Sequence, residues 1–355
     1  MPESLVVLVS GLAILAALVP VLGQAKTTSL VGVSRHNLRL LHSSFECYAG
    51  DWDDRQFTAV PDDFGVFGGD CLAYGQGCGS IPTVVVGQCD GVIWVFPSCN
   101  ALTLPIDLDP DAAYGLFRLS HYIQVMHDYV GGRVYDPTYF SPLDKKAYKT
   151  ASPLFDHECE FVPGPGIVPS SYAMSPAAMY HPGVFRAPSA GGFRHPDTFS
   201  RGYESPAITL VKYPHLKTWM IEHNWLVDPP ADCNPGYVDP FGAYSPECDP
   251  YLFNHGADAR PLTLFFDGSI EPLRTGDVQR DDERVLRQTG GFDGLWSRDT
   301  PLGTAGYFGH GSFDGTMVSH HILTTDGIRG RDTLRGTPNA ARGLGPVESD
   351  LGDKR

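Results

Sequence analysis

The N-terminal segment restricts most strongly what this chain can fold into. From Leu5 to Leu22 there are 18 residues without a charged side chain. That is about the shortest apolar stretch that crosses the hydrocarbon core of a bilayer as a helix. Glu3 is the only charge before this stretch, and no lysine or arginine comes before Lys26. The segment predicts a single-pass membrane anchor, with the bulk of the chain outside the cytoplasm.

The charges around the segment argue against two ordinary explanations. A cleaved secretory signal, the main alternative, normally begins with basic residues, and none is present here. The orientation rule for simple anchors places basic residues on the cytoplasmic side, but Lys26, Arg35 and Arg39 follow the apolar stretch. This distribution indicates that the segment does more than cross a membrane.

A helical pattern continues beyond the apolar stretch. Apolar residues recur at steps of three, four or eight residues, which is typical of one helix face, at Leu30, Leu38, Leu41, Phe45 and Tyr48. Polar residues lie between them. We therefore expect one helix from about Leu5 to about Tyr48, apolar on all sides at first and amphipathic afterwards. Such a helix is embedded at one end and packed on a globular domain at the other.

Composition excludes some partners. The formal net charge is -15, so nucleic acid and anionic lipid surfaces are poor partners, because both require a basic face. The 40 glycines and 30 prolines favour loops and short strands over helical bundles. Catalytic signatures such as HExxH, GxSxG and a P-loop are missing from the sequence, so we expect a non-enzyme without a resident cofactor.

Eight cysteines indicate an oxidising compartment. None belongs to a CxxC pair, which argues against zinc-ribbon and thioredoxin-like sites. Three pairs are close in sequence and predict local disulfides: Cys71 with Cys78, Cys89 with Cys99, and Cys233 with Cys248. Free buried thiols are the alternative. The connectivity stays open, since eight cysteines allow about 105 pairings.

Short apolar runs separated by turn residues follow Asp51. They predict strands at Thr83–Val86, Val92–Phe96, Ala207–Val211 and Leu262–Phe266. The continuous run Val92–Phe96 predicts a strand buried on both faces. Asp267-Gly268 predicts a hairpin turn with Ile270 on the return strand.

Two further segments predict local structure. A second helix is expected over Ala112–Val130, within 111–130, and Lys217–Trp225 predicts a short helix or a strand. The whole predicts an α+β fold in three parts. These are an assembly and membrane helix at 1–50, an antiparallel β-rich head at 51–275, and an irregular extension at 276–355 whose end, from 326, is a flexible tail.

The first 55 residues resemble type IV pilins and type II secretion pseudopilins. In that family one glutamate stands near the start of the apolar helix, and a helix-bending proline follows at a fixed distance. Glu3 and Pro20 have that spacing of 17 residues. The stretch from Asn37-Leu38 to Tyr48, with Asp51 after it, resembles a large planctomycete-type group with a pilin-like methylation segment.

Two downstream blocks resemble the same group. His255, followed by a strand that ends in Asp267-Gly268, is similar to the group's C-terminal signature. The block Ser171–Ser175 is similar to its Ser-Tyr-x-x-Asn block, with serine in place of the asparagine.

The resemblance implies a structural subunit. Its helix would insert in the inner membrane and pack with copies of itself, in a pilus-like fibre or a secretion pseudopilus. The partners would be other pseudopilins or the secretion machinery. Glu3 would meet the N-terminal amine of a neighbouring subunit, and Pro20 would bend the helix. The family's basic leader precedes the glutamate, whereas this sequence starts at Met1-Pro2-Glu3. Either the start codon lies upstream, or the chain is not processed as the family is.

Acidic clusters and histidines supply the remaining candidate sites. Asp51, Asp53 and Asp54 crowd one turn, and Asp107, Asp109 and Asp111 alternate. Both groups are weak calcium candidates, with a solvated turn or helix cap as the favoured alternative. We expect His310, His320 and His321, in a Gly-rich region, to lie at the surface.

A membrane-tethered enzyme or ligand-binding protein is the alternative function. Its site would use His255 and Asp267, with His157 or His195. A structural hydrogen bond of His255 is the favoured alternative. The enzyme hypothesis requires that these side chains converge in one pocket.

Overall fold

The computed structural model has an α+β fold, as the sequence predicts. It describes residues 2–109, 115–119, 123–157, 159, 168–222, 260–304, 306–307 and 319–334. For residues 2–25, 27, 78, 118, 119, 145 and 146 the description covers the backbone alone. The expected tail beyond 334 and the candidates His255, Cys233, Cys248, Asp111 and His310 lie outside the described residues.

Six α-helices occur in the described ranges. They are α1 (Pro2–Asp51), α2 (Cys71–Cys78), α3 (Leu116–Leu119), α4 (Gln124–His127), α5 (Lys145–Ala151) and α6 (Thr275–Gln288). Single 3₁₀ turns connect them, at Phe64–Phe67, Pro137–Tyr139, Ser152–Leu154, Pro176–Ala178, Pro188–Ala190, Pro196–Thr198, Ile208–Leu210 and Gly327–Arg329. Four of these eight turns begin with proline, whose fixed φ suits the first position of a helical turn.

Two antiparallel sheets complete the described fold. A two-stranded sheet pairs β1 (Thr83–Cys89) with β2 (Val92–Pro97). A four-stranded sheet has the order β3-β4-β5-β6, with strands Tyr172–Met174, Thr218–Glu222, Leu262–Phe265 and Ile270–Pro272. Every residue of β3, β4 and β5 is buried. The four-stranded sheet is therefore the centre of the head.

The second half of α1 packs on the head as the periodicity predicts. Leu38, Leu41, Phe45 and Tyr48 are all buried and belong to the main hydrophobic core. Phe45 lies against Trp219 of β4, with ring centroids 6.0 Å apart. The helix ends at Asp51, because Asp53 and Asp54 that follow have φ values of 54° and 62°, outside the helical region.

The burial predicted for strand β2 is wrong. The run Val92–Phe96 does form a strand, but Val92 and Ile93 are 61% and 56% exposed rather than buried on both faces. Its sheet has only two strands in the described part of the chain, and no second layer covers the apolar side chains of β2. A continuous apolar run thus predicted the strand correctly and its burial wrongly.

Two other predicted elements differ from the structure. The helix expected over Ala112–Val130 is replaced by α3 and α4, because Ile123 between them has an extended backbone (φ -83°, ψ 118°). The strand expected at Ala207–Val211 is a 3₁₀ turn, Ile208–Leu210. The Ile208 amide donates to the Asp54 carbonyl at 2.7 Å, so a loop contact replaces the expected strand pairing.

The region expected to be an irregular extension contains a helix and a buried segment. Helix α6 is strongly amphipathic, and its Asp281 accepts hydrogen bonds from the Thr333 hydroxyl (2.7 Å) and the Leu334 amide (2.9 Å). His320 and His321, expected at the surface, are buried. Leu295, Trp296, Ile322, Leu323 and Ile328 of this region also belong to the main hydrophobic core, so the region packs on the head.

The two disulfides among the described residues are not the local pairs Cys71–Cys78 and Cys89–Cys99 that the sequence favoured, and the pair Cys233–Cys248 lies outside the described residues. Cys71 bonds with Cys99 (Cα–Cα 5.4 Å) and Cys89 with Cys159 (4.9 Å). Cys71 and Cys78 stand at opposite ends of α2, about 10 Å apart at 1.5 Å per residue, which is beyond the reach of a disulfide. The exposed Cys47 carries a free thiol.

One hairpin explains why Cys89 does not pair with Cys99. Cys89 is opposite Val92 at the turn end of the β1–β2 pair, whereas Pro97 is opposite Thr83 at the other end. Cys99 therefore lies at the far end of the hairpin from Cys89. The two bonds that form tie this hairpin to α2 and to the segment near Cys159 instead.

A buried ion pair ties the C-terminal segment to β4. Lys217 Nζ lies 3.1 Å from Asp332 Oδ2, and both side chains are fully buried. Asp332 also accepts hydrogen bonds from the Thr218 amide (2.9 Å), the His321 amide (3.1 Å) and the Thr324 hydroxyl (2.5 Å). Burial lowers the pKa of Lys217, and the nearby charge of Asp332 opposes that effect. Burial alone would raise the pKa of Asp332, but its pKa is lowered because Lys217 and the hydrogen-bond donors stabilise its negative charge.

We predict that Asp332→Ala destabilises the full chain in detergent by about 3–5 kcal/mol, because a buried ammonium loses its counterion. The double variant Lys217→Met/Asp332→Leu should be less destabilised than Asp332→Ala. Glu283→Ala is the control, since the Glu283–Arg287 pair is 4.0 Å long and exposed, and should change stability by less than about 0.5 kcal/mol. Denaturant unfolding monitored by tryptophan fluorescence measures all three. Equal stability of Asp332→Ala and wild type would contradict the role of the pair.

Candidate functional site

The contact between α1 and the four-stranded sheet is the candidate functional site, and we call it the helix–sheet junction. It comprises Ser34, Asn37, Tyr172, Glu222 and the loop of residues 137–144. Leu38 and Leu41 pack beside these polar groups in the core. The junction brings polar groups from α1, β3, β4 and β5 together in the interior of the head.

Glu222 is the centre of the junction. It ends β4 and is fully buried. The Ser34 hydroxyl of α1 donates to Glu222 Oε1, and the Leu262 amide of β5 donates to Oε2 at 2.8 Å. Burial raises the pKa of Glu222 to about 8, an effect that the hydrogen bonds from Ser34 and Leu262 reduce. The side chain is therefore mostly neutral at neutral pH, which removes most of the cost of burying a charge.

Asn37 and Tyr172 extend the network from α1 to β3. The Asn37 side-chain amide donates to the Phe140 carbonyl at 3.1 Å and to the Tyr172 hydroxyl at 3.3 Å. The Tyr172 hydroxyl also lies 2.8 Å from the Ser34 hydroxyl. Burial is the main cause that raises the pKa of Tyr172, so its hydroxyl keeps its proton. Each polar group at the junction thus has a partner on another element.

The Asp267-Gly268 turn lies against the same helix. It closes the β5–β6 hairpin, as predicted, with Leu264 opposite Ile270. Gly268 has a φ of +79°, and a Cβ atom there would lie 3.3 Å from the His42 ring of α1. The Trp219 ring stacks on Phe266 with centroids 4.8 Å apart and meets the His42 ring edge-on at 4.9 Å. A glycine turn therefore lets the hairpin approach the helix closely.

The described blocks that carry the pilin resemblance meet in space. Asn37, Leu38 and Tyr48 are on the packed half of α1, Tyr172 bonds to that half, and Asp267-Gly268 approach its His42. Burial raises the pKa of Tyr48 to about 12. These blocks are far apart in sequence but lie against the same half of α1. Their contact in the folded chain gives a structural reason why they occur together in one sequence.

Helix α1 leaves the head near Ser34. Ser34 is fully buried, but no described side chain between Lys26 and Val33 is buried. The backbone remains helical from Pro2, so the helix continues beyond the part that packs on the head. The side chains of Glu3 and Pro20 lie outside the described residues. In the part of the chain searched for membrane spans, none of the helices combines the length and the hydropathy needed to cross a bilayer.

The calcium candidates near the end of α1 do not converge. Asp51 accepts a hydrogen bond from the Tyr129 hydroxyl at 2.8 Å, and Asp54 accepts one from the Thr209 amide at 3.1 Å. Within the described residues, one group of three His, Cys, Asp or Glu side chains has ligand atoms within 4.8 Å of one another, and it consists of Cys89, Asp90 and Cys159. Both sulfur atoms of that group are in a disulfide, so it offers no thiolate ligand.

The residues proposed for an enzyme site are separated where the structure describes them. Asp267 is exposed in its turn and accepts hydrogen bonds from Ser269. His157 is exposed beside the Cys89–Cys159 disulfide. His195 lines a cleft with Asp197 and Asp107. Asp267 and His157 are not among the residues that line this cleft.

Sequence reasoning missed Ser34, Ser141 and Glu222. Ser34 and Ser141 carried no recognisable motif, and Glu222 stood inside a segment, Lys217–Trp225, for which helix and strand were both open. One signal was present: Glu222 is the only acidic residue in the apolar run Thr218–Glu222. A single carboxylate at the end of an apolar strand is a candidate for burial with polar partners.

We predict that the Glu222 contribution to the stability of the full chain in detergent falls as pH rises from 6.5 to 8. The folded chain holds the Glu222 proton up to about pH 8, whereas the unfolded chain loses it near 4.5, so folding binds a proton in this window. The slope should reach up to about 1.4 kcal/mol per pH unit. Histidines whose pKa is lowered in the folded chain, such as His320 at about 4, add a slope of the opposite sign below about pH 7, because the unfolded chain protonates them near 6.5; Glu222→Gln retains that slope.

Glu222→Gln should abolish most of that slope, because glutamine does not titrate. Glu46→Gln is the matched control, since it makes the same change at a side chain of α1 that is 60% exposed. The slopes are measured by denaturant unfolding at about pH 6.5, 7.2 and 8.0, a series that rises to the shifted pKa of Glu222. A wild-type slope equal to that of Glu222→Gln would show that Glu222 does not titrate as proposed.

Comparisons with known proteins leave the family undecided. No family model matches the chain. No curated protein and no solved structure matches it either. The pilin resemblance therefore rests on the residues named above.

Proposed function

We propose that this chain is a pilin-like structural subunit. The first half of α1 anchors it in the inner membrane, and the head lies outside the cytoplasm. Copies assemble through α1 into a pilus-like fibre or a secretion pseudopilus, together with other pseudopilins or secretion machinery. The chemistry of the site is helix packing, and no bond is made or broken.

One observation carries this proposal: the second half of a single 50-residue helix packs on the head, and its backbone stays helical back to Pro2. Full burial along the described part of the helix begins at Ser34, and Val31 one turn earlier is partly buried against the core. The remaining residues include the uncharged stretch Leu5–Leu22, which has no charge to keep it in water. A helix arranged in this way needs a second apolar environment, and a bilayer or a bundle of identical helices supplies one.

The disulfides support the extracytoplasmic position of the head. Cys71–Cys99 and Cys89–Cys159 both lie in the head. Disulfides persist in oxidising compartments and are rare in the cytosol. The head therefore suits the periplasm or the cell surface.

Glu3 has a defined role in the proposal. A carboxylate at the edge of an apolar helix is costly unless it is paired. In an assembled bundle the N-terminal amine of a neighbouring subunit would pair with it and fix the axial register of the two helices. Pro20 removes one backbone donor, so it would loosen the helix between the membrane part and the docked part.

We predict that Glu3→Leu reduces assembled material at least about tenfold, which corresponds to about 1.4 kcal/mol per contact. The variant should still reach the membrane, because leucine increases the apolar length. The measurement is electron microscopy of shear fractions, combined with cysteine cross-linking between α1 helices in intact cells, which also detects a short pseudopilus. Glu46→Gln is the control and should assemble as wild type.

Two results would reject assembly. One is wild-type protein in the membrane fraction that shows neither fibres nor cross-linked ladders. The other is Glu3→Leu protein that assembles as well as wild type. Recovery of the wild-type protein in the cytosol would reject the membrane anchor itself.

A further inference from the structure

A cleft of about 340 Å³ opens on the head away from the Asp267-Gly268 turn. We call it the acidic cleft, and its polar lining comprises Asp107, Asp109, His195, Asp197, Tyr180 and Tyr203. Its volume is within the range of about 300–1,000 Å³ that small-molecule sites occupy. None of these residues belongs to the helix–sheet junction.

The walls of the acidic cleft are held in place by hydrogen bonds. The Tyr203 hydroxyl donates to Asp197 Oδ1, and His195 Nδ1 lies 3.2 Å from Asp197 Oδ2. Asp197 itself packs against Gly69, where a Cβ atom would lie 2.2 Å from the carboxylate. On the other wall, the Tyr180 hydroxyl donates to the Ile106 carbonyl at 2.6 Å, next to Asp107. Because these contacts are formed within the chain itself, the shape of the cleft does not depend on a ligand.

The charge of the lining favours a cation. Three carboxylates face one histidine, and among the described residues that line the cleft there is neither lysine nor arginine. Burial is the main cause that raises the pKa of Asp107, and Asp109 and Asp197 add to it. Asp197 already has His195 and Tyr203 as partners, and these lower its pKa despite burial. Asp107 is therefore the carboxylate that gains most from a positively charged guest.

The spacing of the carboxylates favours an organic cation over a metal ion. The cleft residues are not part of the one group of potential ligands within 4.8 Å that the described chain contains. A single small ion needs ligand oxygens on all sides at about 2.3–2.6 Å for calcium. Carboxylates that stand farther apart fit a larger cation, whose several N–H donors reach different oxygens.

Aromatic rings supply the second half of the recognition. The rings of Tyr203 and Tyr180 lie 5.9 Å apart, and Tyr203 lies 5.0 Å from Phe64, which also lines the cleft. All three rings are almost fully buried, so together they form a packed, largely apolar wall behind the carboxylates. An apolar wall also packs the methylene groups to which such a cation is attached.

We propose that the acidic cleft binds an alkylammonium or guanidinium group, with Asp107 as its principal counterion and Tyr180, Tyr203 and Phe64 as its aromatic wall. The group belongs to a free amine or to a lysine or arginine side chain of a partner chain. This proposal is independent of assembly through α1, because the two sites share no residue.

Saturation-transfer difference NMR on the full chain in detergent tests it, at about 150 mM salt so that unspecific attraction to the net negative charge is screened. The probes are agmatine, a short lysine-containing peptide and the same peptide with acetylated lysine. We expect the lysine peptide to bind saturably, either together with agmatine or without it. Binding by the peptide alone would identify a partner chain as the source, and binding by both would identify the charged group itself as sufficient.

Asp107→Asn should weaken binding at least about tenfold, or about 1.4 kcal/mol. Asparagine keeps an oxygen that accepts from the Asp109 amide, a hydrogen bond of 2.9 Å, so the loop should stay folded. Asp156→Asn removes the same charge at a fully exposed position and is the matched control. Its binding should remain within about twofold of wild type. A thermal unfolding scan of both variants separates lost binding from lost folding.

Three outcomes overturn the proposal. The first is that neither charged probe binds. The second is that the acetylated peptide binds as well as the charged one. The third is that a folded Asp107→Asn variant binds as wild type does. Full displacement of the probes by about 1 mM calcium chloride, a concentration typical of weak calcium sites, would also overturn it and assign the cleft to a metal ion.

Discussion

The burial of one carboxyl group, that of Glu222, under helix α1 is the constraint on which the rest of the head depends. Its oxygens accept from Ser34 of the helix and from Leu262 of the sheet, so a single side chain bonds both layers. An interior carboxyl without such partners would cost several kcal/mol. Leu38 and Phe45 of the helix are also buried in the core, but their apolar contacts are non-directional. The polar network fixes which turn of the helix meets which strand.

A second buried polar centre lies at the opposite end of β4. Lys217 begins the same stretch of chain that Glu222 ends, and it bonds to Asp332 in the C-terminal segment. Strand β4 therefore connects α1 at one end and the C-terminal segment at the other. The two centres differ in charge state. Glu222 is mostly neutral at pH 7, whereas the Lys217–Asp332 pair is supported by three further donors to Asp332. Both solutions avoid an unpaired buried charge.

The sequence predicted local structure better than tertiary context. The steps between Leu38, Leu41 and Phe45 predicted the packed face of α1, and Asp267-Gly268 predicted the β5–β6 turn, because both signals are local. The burial of Val92–Phe96 was predicted wrongly, since an apolar run does not reveal how many layers cover a strand. Cys89 and Cys159 are 70 residues apart, and Lys217 and Asp332 are farther still. No local pattern specifies such pairs. The acidic cleft was missed for the same reason, although His195 and Asp107 had each been noticed separately.

The junction also bears on how a subunit of this kind could assemble. A helix that exchanges lipid for neighbouring helices experiences a change of environment along its first half, and the head must not shift along its second half when that happens. A slide of one residue would turn the helix by about 100° and move Leu38 and Phe45 out of the core, so the apolar face already opposes it. A one-residue shift at Ser34 or Asn37 would leave Glu222 or the Phe140 carbonyl without a donor in the interior. The polar groups therefore hold the head and α1 in one fixed register, so that forces on the apolar half would be transmitted to the head as a rigid unit.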